Sequence, residues 1–135
     1  MRLIIDCDPG NGIPGANVDD GLALALALAA RPRLSLELIS IVAGNTPRDV
    51  GFAVAQHLLQ QTGYQVPIAV GAARALSEPP EPWRAHLDRA IADPDLAALW
   101  RNTPYPQAAT TPTPNAAVAI GELICNNPGE ITLAA

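Results

Sequence analysis

Apolar residues along this chain fall into short continuous runs, separated by longer stretches that carry helix start and stop signals. A continuous apolar run of roughly four to eight residues is typical of a strand that is buried on both faces. We predict four such strands, at Leu3–Asp6, Leu36–Val42, Val66–Val70 and Ile131–Ala134. Three helices are predicted between them, at Asp19–Ala30, Pro47–Thr62 and Asn115–Asn126.

Capping and turn residues mark the ends of these elements. The carboxylate of Asp19 can cap the first helix. Thr46 is the predicted N-cap of the second helix, with Pro47 at its first helical position, and Gly63 supplies its stop. A turn at Pro128-Gly129 is predicted to connect the last helix to the last strand.

Residues 71–114 form a proline-rich segment that interrupts the alternation of strands and helices. The segment holds more than half of the chain's 14 prolines and both tryptophans, Trp83 and Trp100. We interpret it as a long excursion with short helices, one of them capped by Asp93-Pro94. Segments of this length within a compact domain are usually functional or disordered.

The alternation of strands and helices predicts the fold class. It is typical of an α/β fold with an open, mostly parallel, Rossmann-like sheet that carries helices on both faces. Residues 1–135 are interpreted as one unit, which stops at the end of the fourth predicted strand. A parallel strand is normally followed by a helix. We therefore expect the N-terminal part of a longer domain, truncated after that strand.

Composition and charge narrow the class of partner. The chain is 49% hydrophobic and has a net charge of −5 with only 8 basic residues, so it offers no basic face for nucleic acid or for an acidic membrane surface. The longest apolar stretch, Gly21–Ala30, is too short to cross a bilayer, and Asp6 interrupts the apolar start of the chain. Cys7 and Cys125 lack metal-site spacing, which is consistent with a cytoplasmic protein.

Carboxylates are concentrated where the first strand ends and the first helix begins. Asp6 and Asp8 lie at the strand end, Asp19 and Asp20 open the helix, and Asn45 follows the second strand. The carboxyl ends of parallel strands are where open α/β sheets bind ligands. Crowded carboxylates repel one another, and a hard cation such as Ca²⁺ relieves that repulsion. One of these carboxylates could also act as a general base toward water.

Each of these residues also has a structural interpretation. Asp8 and Asp20 could be surface carboxylates that cap backbone groups, although their placement at a strand end favours metal or catalytic use. Asp19 could be a simple N-cap, and Asn45 could be a turn residue that bonds locally. Asp6 is better explained as structural than as catalytic.

Histidine, cysteine and tryptophan give weaker signals. His57 is predicted to lie on the surface of the second helix or in a satisfied core position, and His86 in a loop. Cys7 stands between two aspartates whose charge disfavours its thiolate, so we expect it to be inert packing. Trp83 and Trp100 are more typical of loop anchors than of nucleobase stacking.

The motifs themselves resemble those of the inosine-uridine preferring nucleoside hydrolases. The resemblance rests on Asp6-Cys7-Asp8-Pro9-Gly10 after a short strand, on Asp19-Asp20 opening an apolar helix, and on Ala43-Gly44-Asn45 after the second strand. It runs through about Val70 and returns at Glu130–Ala134. It implies an open α/β fold that uses bound Ca²⁺ to hydrolyse the N-glycosidic bond of a ribonucleoside, giving free base and ribose.

The resemblance also implies roles for individual residues. Asp8 matches the aspartate that contacts Ca²⁺ and deprotonates the attacking water, and Asp20 matches a second calcium ligand. Asp19 corresponds to the aspartate that holds the ribose hydroxyls, and Asn45 to an asparagine near the ribose and the water. Asp6 would support the ligands without touching the ion. The full-length form is expected to be a homo-oligomer.

Two departures from the family pattern are visible. The family commonly has a single residue between Asp-Pro-Gly and Asp-Asp, whereas this chain has the eight residues Asn11–Val18. The late elements of the family site, including a calcium-binding carbonyl, a ribose-binding acid and a histidine-aspartate pair, have no counterpart before Ala135. We therefore expect little or no hydrolysis by this chain alone.

Two other interpretations remain open at this stage. Haloacid dehalogenase-like phosphohydrolases also place Asp-x-Asp after a first strand and use Mg²⁺. They need a hydroxyl residue where this chain has Gly10, and a later lysine, which this chain lacks altogether. The other possibility is a non-catalytic, truncated metal-binding remnant, in which the exposed edge of the last strand favours aggregation.

Overall fold

Four parallel strands form one sheet in the computed structural model, which describes residues 1–77, 94–102, 106 and 113–135. The strands are β1 (Arg2–Cys7), β2 (Ser35–Ile41), β3 (Ile68–Val70) and β4 (Ile131–Ala134). Their order in the sheet is β3-β2-β1-β4, and each neighbouring pair is parallel. The direction of strand progression reverses between β1 and β4, and such a reversal opens a crevice at the carboxyl ends of the strands.

The described helices connect or flank these strands. They are α1 (Asp19–Ala29), α2 (Arg48–Thr62), α3 (Pro94–Trp100) and α4 (Ala116–Asn126). None of the helices in the described residues is long and apolar enough to cross a membrane.

The sheet buries apolar side chains on both faces. On one face, strand residues pack against α1 and α2, and the larger members of this cluster are Leu3, Ile5, Leu36, Ile39, Ile41, Leu24, Leu28, Phe52 and Leu59. On the other face, Ile4, Leu38 and Ala69 pack against α4 through Ala116. The predicted parallel α/β sheet with helices on both faces is therefore confirmed.

The starts of α1 and α2 differ from the prediction. Val18 occupies the N-cap position of α1, and Asp19 lies inside the first turn without a side-chain capping bond. Pro47 occupies the N-cap position of α2, again without a side-chain bond. The Thr46 hydroxyl instead donates to the carbonyl of Pro9 at 3.4 Å. Both capping predictions were wrong, and at α2 the reason is that the loop after β1 takes up the Thr46 hydroxyl.

Other element ends agree with the prediction. Gly63 ends α2 in the left-handed conformation with φ 70°. The Asn115 side chain accepts a hydrogen bond from the Val118 N–H at 3.2 Å and caps α4. Gly129 has φ 77° in the turn before β4, where glycine is the least strained residue.

The start of β3 differs from the prediction, and some predictions for the proline-rich segment lie outside the described residues. The carbonyl of Pro67 accepts from the Ile39 N–H at 3.0 Å, but β3 itself begins only at Ile68, two residues later than predicted. Helix α3 begins at Pro94 as expected, whereas the Asp93 cap, Trp83 and His86 lie outside the described residues.

The amino end of the sheet is held by Arg2. Its guanidinium donates to the carboxylates of Glu37 on β2 and Glu130 before β4, each at 3.2 Å. It also donates to the side-chain oxygen of Asn127. The Arg2 side chain thereby contacts β2 on one side of β1 and the turn before β4 on the other side.

Candidate functional site

The residues singled out in the sequence lie on the loops that leave the carboxyl ends of β1 and β2. These two loops are joined at their base, because the N–H of Val42 donates to the Cys7 carbonyl at 3.1 Å. Asp8 is the first residue after β1, and Asn45 follows β2. This edge of the sheet lies beside the reversal of strand order, where α/β folds bind ligands.

Asp8 and Asp20 are brought into direct contact. The backbone N–H of Asp8 donates to Oδ2 of Asp20 at 2.7 Å. Burial and a hydrogen bond with the Asp20 carboxyl raise the pKa of Asp8 to about 6, while the backbone N–H of Asn45 acts in the opposite direction. The backbone bond brings Asp8 and Asp20, twelve residues apart in the chain, next to each other at the end of β1.

The Asp8 carboxylate is fixed from the opposite side by the loop after β2. Its Oδ2 atom accepts a hydrogen bond from the backbone N–H of Asn45. A side chain at Gly44 would overlap this carboxylate, so position 44 must be glycine for Asp8 to keep its orientation. Asp8 is therefore held by α1 on one side and by the β2 loop on the other.

The Asn45 side chain is buried beneath the loop that precedes α1. Only 5% of Asn45 is exposed. Its Oδ1 accepts from the Asn17 N–H at 2.8 Å, and its Nδ2 donates to the Asn17 carbonyl at 3.1 Å. The same Nδ2 lies 3.4 Å from the Asp8 carbonyl. The loop Asn11–Val18 thus contacts the site directly.

Asp19 and Asp6 flank the central pair without joining it. Asp19 is exposed in the first turn of α1, and its charge contributes to the raised pKa of Asp8. Asp6 pairs in register with Ser40 of β2. The Asp6 Oδ1 and Ser40 Oγ atoms are buried and have no hydrogen-bond partner within the part of the chain that is described.

Cys7 is confirmed as a buried residue between the two aspartates of β1 and its following loop. Its side chain is 4% exposed and belongs to the apolar cluster under α1 and α2. Burial, followed by the negative charges of Asp20, Asp6 and Asp8, raises the pKa of its thiol. His57 lies exposed on α2, in agreement with the surface alternative.

The donor set fits part of a site for a hard cation. The carboxyls of Asp8 and Asp20 lie close enough for Asp20 to raise the pKa of Asp8, and a divalent cation held by this pair would relieve the unfavourable approach of like charges. Across residues 1–77, 94–102, 106 and 113–135, no group of three or more His, Cys, Asp or Glu residues is arranged to hold a metal ion. The pair therefore provides two carboxylates of a coordination sphere that takes about six to eight oxygens.

Several contacts of the site had no signal in the sequence. Asn17 enters through its backbone, which any residue type can supply, and the contact of Gly44 with Asp8 depends on how two loops approach each other. The Thr46 hydroxyl showed only a capping signal. Close contact between loops from different strands is a property of the tertiary structure.

Comparison with known proteins identifies the family. The family model described as inosine-uridine preferring nucleoside hydrolase matches residues 3–135. The chain is 39% identical over 79 residues to the non-specific ribonucleoside hydrolase RihC of Salmonella paratyphi A, an alignment that covers 58% of this chain and 23% of that protein. RihC of Salmonella enteritidis PT4 is 40% identical over the same length and coverage.

Solved structures share the fold. An inosine-guanosine nucleoside hydrolase superposes with a TM-score of 0.66 at 26% identity, covering 98% of this chain and 36% of that chain. A purine-preferring ribonucleoside hydrolase from Gardnerella vaginalis superposes with a TM-score of 0.65 at 22% identity, covering 98% of this chain and 39% of that chain. This chain thus spans less than half the length of the relatives it matches. Because the family model extends over nearly all of its residues, the chain belongs to the inosine-uridine preferring nucleoside hydrolase family.

Proposed function

We propose that this chain supplies the N-terminal part of a Ca²⁺-dependent ribonucleoside hydrolase, which cleaves the N-glycosidic bond to give free base and ribose. The observation that carries the proposal is the half-buried contact between Asp8 and Asp20 at the carboxyl end of β1. Family membership supports the reaction class. The names of relatives, a non-specific and an inosine-guanosine hydrolase, support a ribonucleoside as the substrate class.

In the proposed mechanism, Asp8 and Asp20 would hold the cation and Asp8 also serves as the base. The bound cation would neutralise the two carboxylates and help to orient ribose hydroxyls. Asp8 accepts a proton from the water that attacks the anomeric carbon, and the backbone N–H of Asn45 keeps its carboxylate oriented. Such fixed geometry contributes to catalysis by placing the reacting groups in advance.

Asp19 is proposed to bind the ribose hydroxyls. Its carboxylate is exposed at the start of α1, next to the Asp8–Asp20 pair, so it is accessible to a ligand. Asp6 is proposed to support this arrangement from within the sheet, with its unpaired Oδ1 as the supporting observation. We expect the working enzyme to be cytoplasmic and homo-oligomeric.

The proposed hydrolase site needs elements beyond this chain. Two carboxylates cover a minority of the oxygens that Ca²⁺ takes, and the chain spans 36% of the solved inosine-guanosine hydrolase. We therefore propose that the isolated chain hydrolyses nucleosides poorly. The same reasoning predicts that its affinity for Ca²⁺ is low but depends on Asp8 and Asp20.

Calcium titration by calorimetry tests the metal part of the proposal. We expect heat of binding for the wild-type chain and its loss in Asp8→Asn and in Asp20→Asn. Asp49→Asn is the matched control, because Asp49 is an exposed residue of the first turn of α2. Equal calcium binding by Asp8→Asn and the control would overturn the assignment of Asp8 as a ligand.

A chimera tests the reaction. Residues 1–135 replace the equivalent segment of the inosine-guanosine nucleoside hydrolase, and ribose release from inosine is measured with and without Ca²⁺. Activity that disappears with a chelator and returns with Ca²⁺ is the expected result. A well-folded chimera that releases no ribose would contradict the proposed function.

A further inference from the structure

Asn45 is one of the few polar residues in the described core, and its side chain bonds to backbone rather than facing an open site. It is 5% exposed, and its Oδ1 and Nδ2 both engage the backbone of Asn17, at 2.8 and 3.1 Å. A buried amide that is satisfied by backbone groups is strongly held, because releasing them would leave unpaired polar atoms. These contacts favour a structural connection over contact with a ligand.

Asn45 also connects this loop to the proposed base. Its backbone N–H donates to the Asp8 carboxylate, and its Nδ2 lies 3.4 Å from the Asp8 carbonyl. One residue therefore contacts both Asp8 and the loop Asn11–Val18. Any displacement of the Asn45 side chain would therefore affect both Asp8 and the loop Asn11–Val18.

The loop Asn11–Val18 packs as an ordered unit next to Asn45. The N–H of Ile13 donates to the Gly10 carbonyl at 3.0 Å, and the N–H of Ala16 donates to the Ile13 carbonyl at 3.2 Å. The side chain of Ile13 is 2% exposed. The Asn11 side chain occupies the space above Gly21 of α1, where a Cβ would overlap it.

We propose that Asn45 is a positioning residue that clamps the loop Asn11–Val18 against Asp8, instead of presenting its amide to the substrate. The clamp holds the entry to α1, and with it Asp19 and Asp20, beside the end of β1. Its consequence for calcium binding rests on the proposed function. The clamp itself does not, because it is made within the chain alone.

Hydrogen–deuterium exchange of the full chain, without Ca²⁺ or nucleoside, tests the clamp. In Asn45→Ala we expect the Asn17 N–H to exchange about tenfold faster or more, as the loss of its bond to Oδ1 predicts. Asn17→Ala is the matched control, since the two bonds from the Asn45 side chain use the backbone N–H and carbonyl of Asn17, and it should leave loop exchange unchanged. Unchanged loop exchange in Asn45→Ala would overturn the clamp.

A conservative variant separates positioning from a general loss of folding. Asn45→Asp keeps an acceptor for the Asn17 N–H but cannot donate to the Asn17 carbonyl. We expect it to restore protection of the Asn17 N–H relative to Asn45→Ala. Exchange as fast as in Asn45→Ala would count against the assigned Oδ1 contact.

NMR of the wild-type chain gives a test that needs no variant. The side-chain amide protons of Asn45 should exchange slowly with water and keep their shifts when ribose is added. A ribose-dependent shift confined to this amide would overturn the proposal in favour of direct substrate contact.

Calcium titration links the clamp to the site. Asn45→Ala retains the Asp8 carboxylate and the backbone N–H that holds it. Its affinity for Ca²⁺ should nevertheless fall about tenfold or more, as for other residues that support metal ligands. If the wild-type chain does not bind Ca²⁺, the proposed function is contradicted. The hydrogen–deuterium exchange experiments would still test the clamp in that case. Unchanged affinity in Asn45→Ala would overturn its positioning role toward Asp8.

Discussion

The Asp8 carboxylate lies against the backbone of Gly44, in space that any side chain at position 44 would occupy. The contact joins the loop after β1 to the loop after β2. It also explains why the residue before Asn45 is glycine although its backbone dihedral is not in the left-handed region. The absence of a side chain there is required by Asp8 rather than by the turn.

Gly44→Ala is therefore expected to displace the Asp8 carboxylate and to weaken calcium binding about tenfold or more. Gly121→Ala is the matched control, because a Cβ at this position of α4 meets nothing within 4 Å. Alanine there should stabilise the helix by roughly 0.5–1 kcal/mol and leave calcium binding unchanged. Calorimetric titration of both variants checks the prediction, and equal affinities would contradict the contact with Asp8.

Asp8→Asn in the chimera is expected to lower kcat by roughly a hundredfold to ten-thousandfold, the range for loss of a general base. KM should rise less than kcat falls, although the base and a calcium ligand are lost together. Steady-state ribose release from inosine measures both quantities, with Asp49→Asn as the control. An unchanged kcat would remove Asp8 from the role of base.

The two cysteines should differ in reactivity. Cys7 is buried and the pKa of its thiol is raised, first by burial and then by nearby aspartates, whereas Cys125 is exposed on α4. Because the thiolate is the reactive form, iodoacetamide should modify Cys125 in the native chain and Cys7 only after unfolding. Mass spectrometry of tryptic peptides identifies the labelled residue. Equal labelling of both cysteines under native conditions would show that β1 is not buried as described.

Acid should remove the stabilising contribution of Glu37. Its hydrogen bond with Arg2 lowers the pKa of Glu37 in the folded state. A carboxylate with a lowered pKa stabilises the fold above its ordinary pKa of about 4.3 and loses this effect as the pH falls through the folded-state value. The difference in Tm between wild type and Glu37→Gln should thus be present at pH 7 and close in acid.

Thermal unfolding followed by circular dichroism from pH 7 downward measures this difference. Glu122→Gln serves as the control, because Glu122 is exposed on α4 and forms no ion pair with the described residues. A Glu37→Gln difference that stays constant from pH 7 into acid would contradict the ion pair with Arg2.

The sequence predicted the strands, the helices and their order because each has a local physical cause. Continuous apolar runs favour strands covered on both faces, and Gly63 and Asn115 end or begin helices through their own conformational and hydrogen-bonding preferences. The position of Asp8 at a strand end was also readable, since it follows from the end of β1. These properties depend on neighbours along the chain.

The tertiary structure alone decided which polar groups meet. Thr46 carried a capping signal, yet its hydroxyl bonds to the Pro9 carbonyl because two loops from different strands converge there. Asp19 lies within the first turn of α1 rather than capping it. The bonds between Asn45 and Asn17 join residues 28 positions apart. They use the backbone N–H and carbonyl of Asn17, which every residue type except proline carries, so the sequence gives no sign of them. Sequence thus determined the sheet and the edge at which the site lies, whereas the approach of the loops determined the contacts within it.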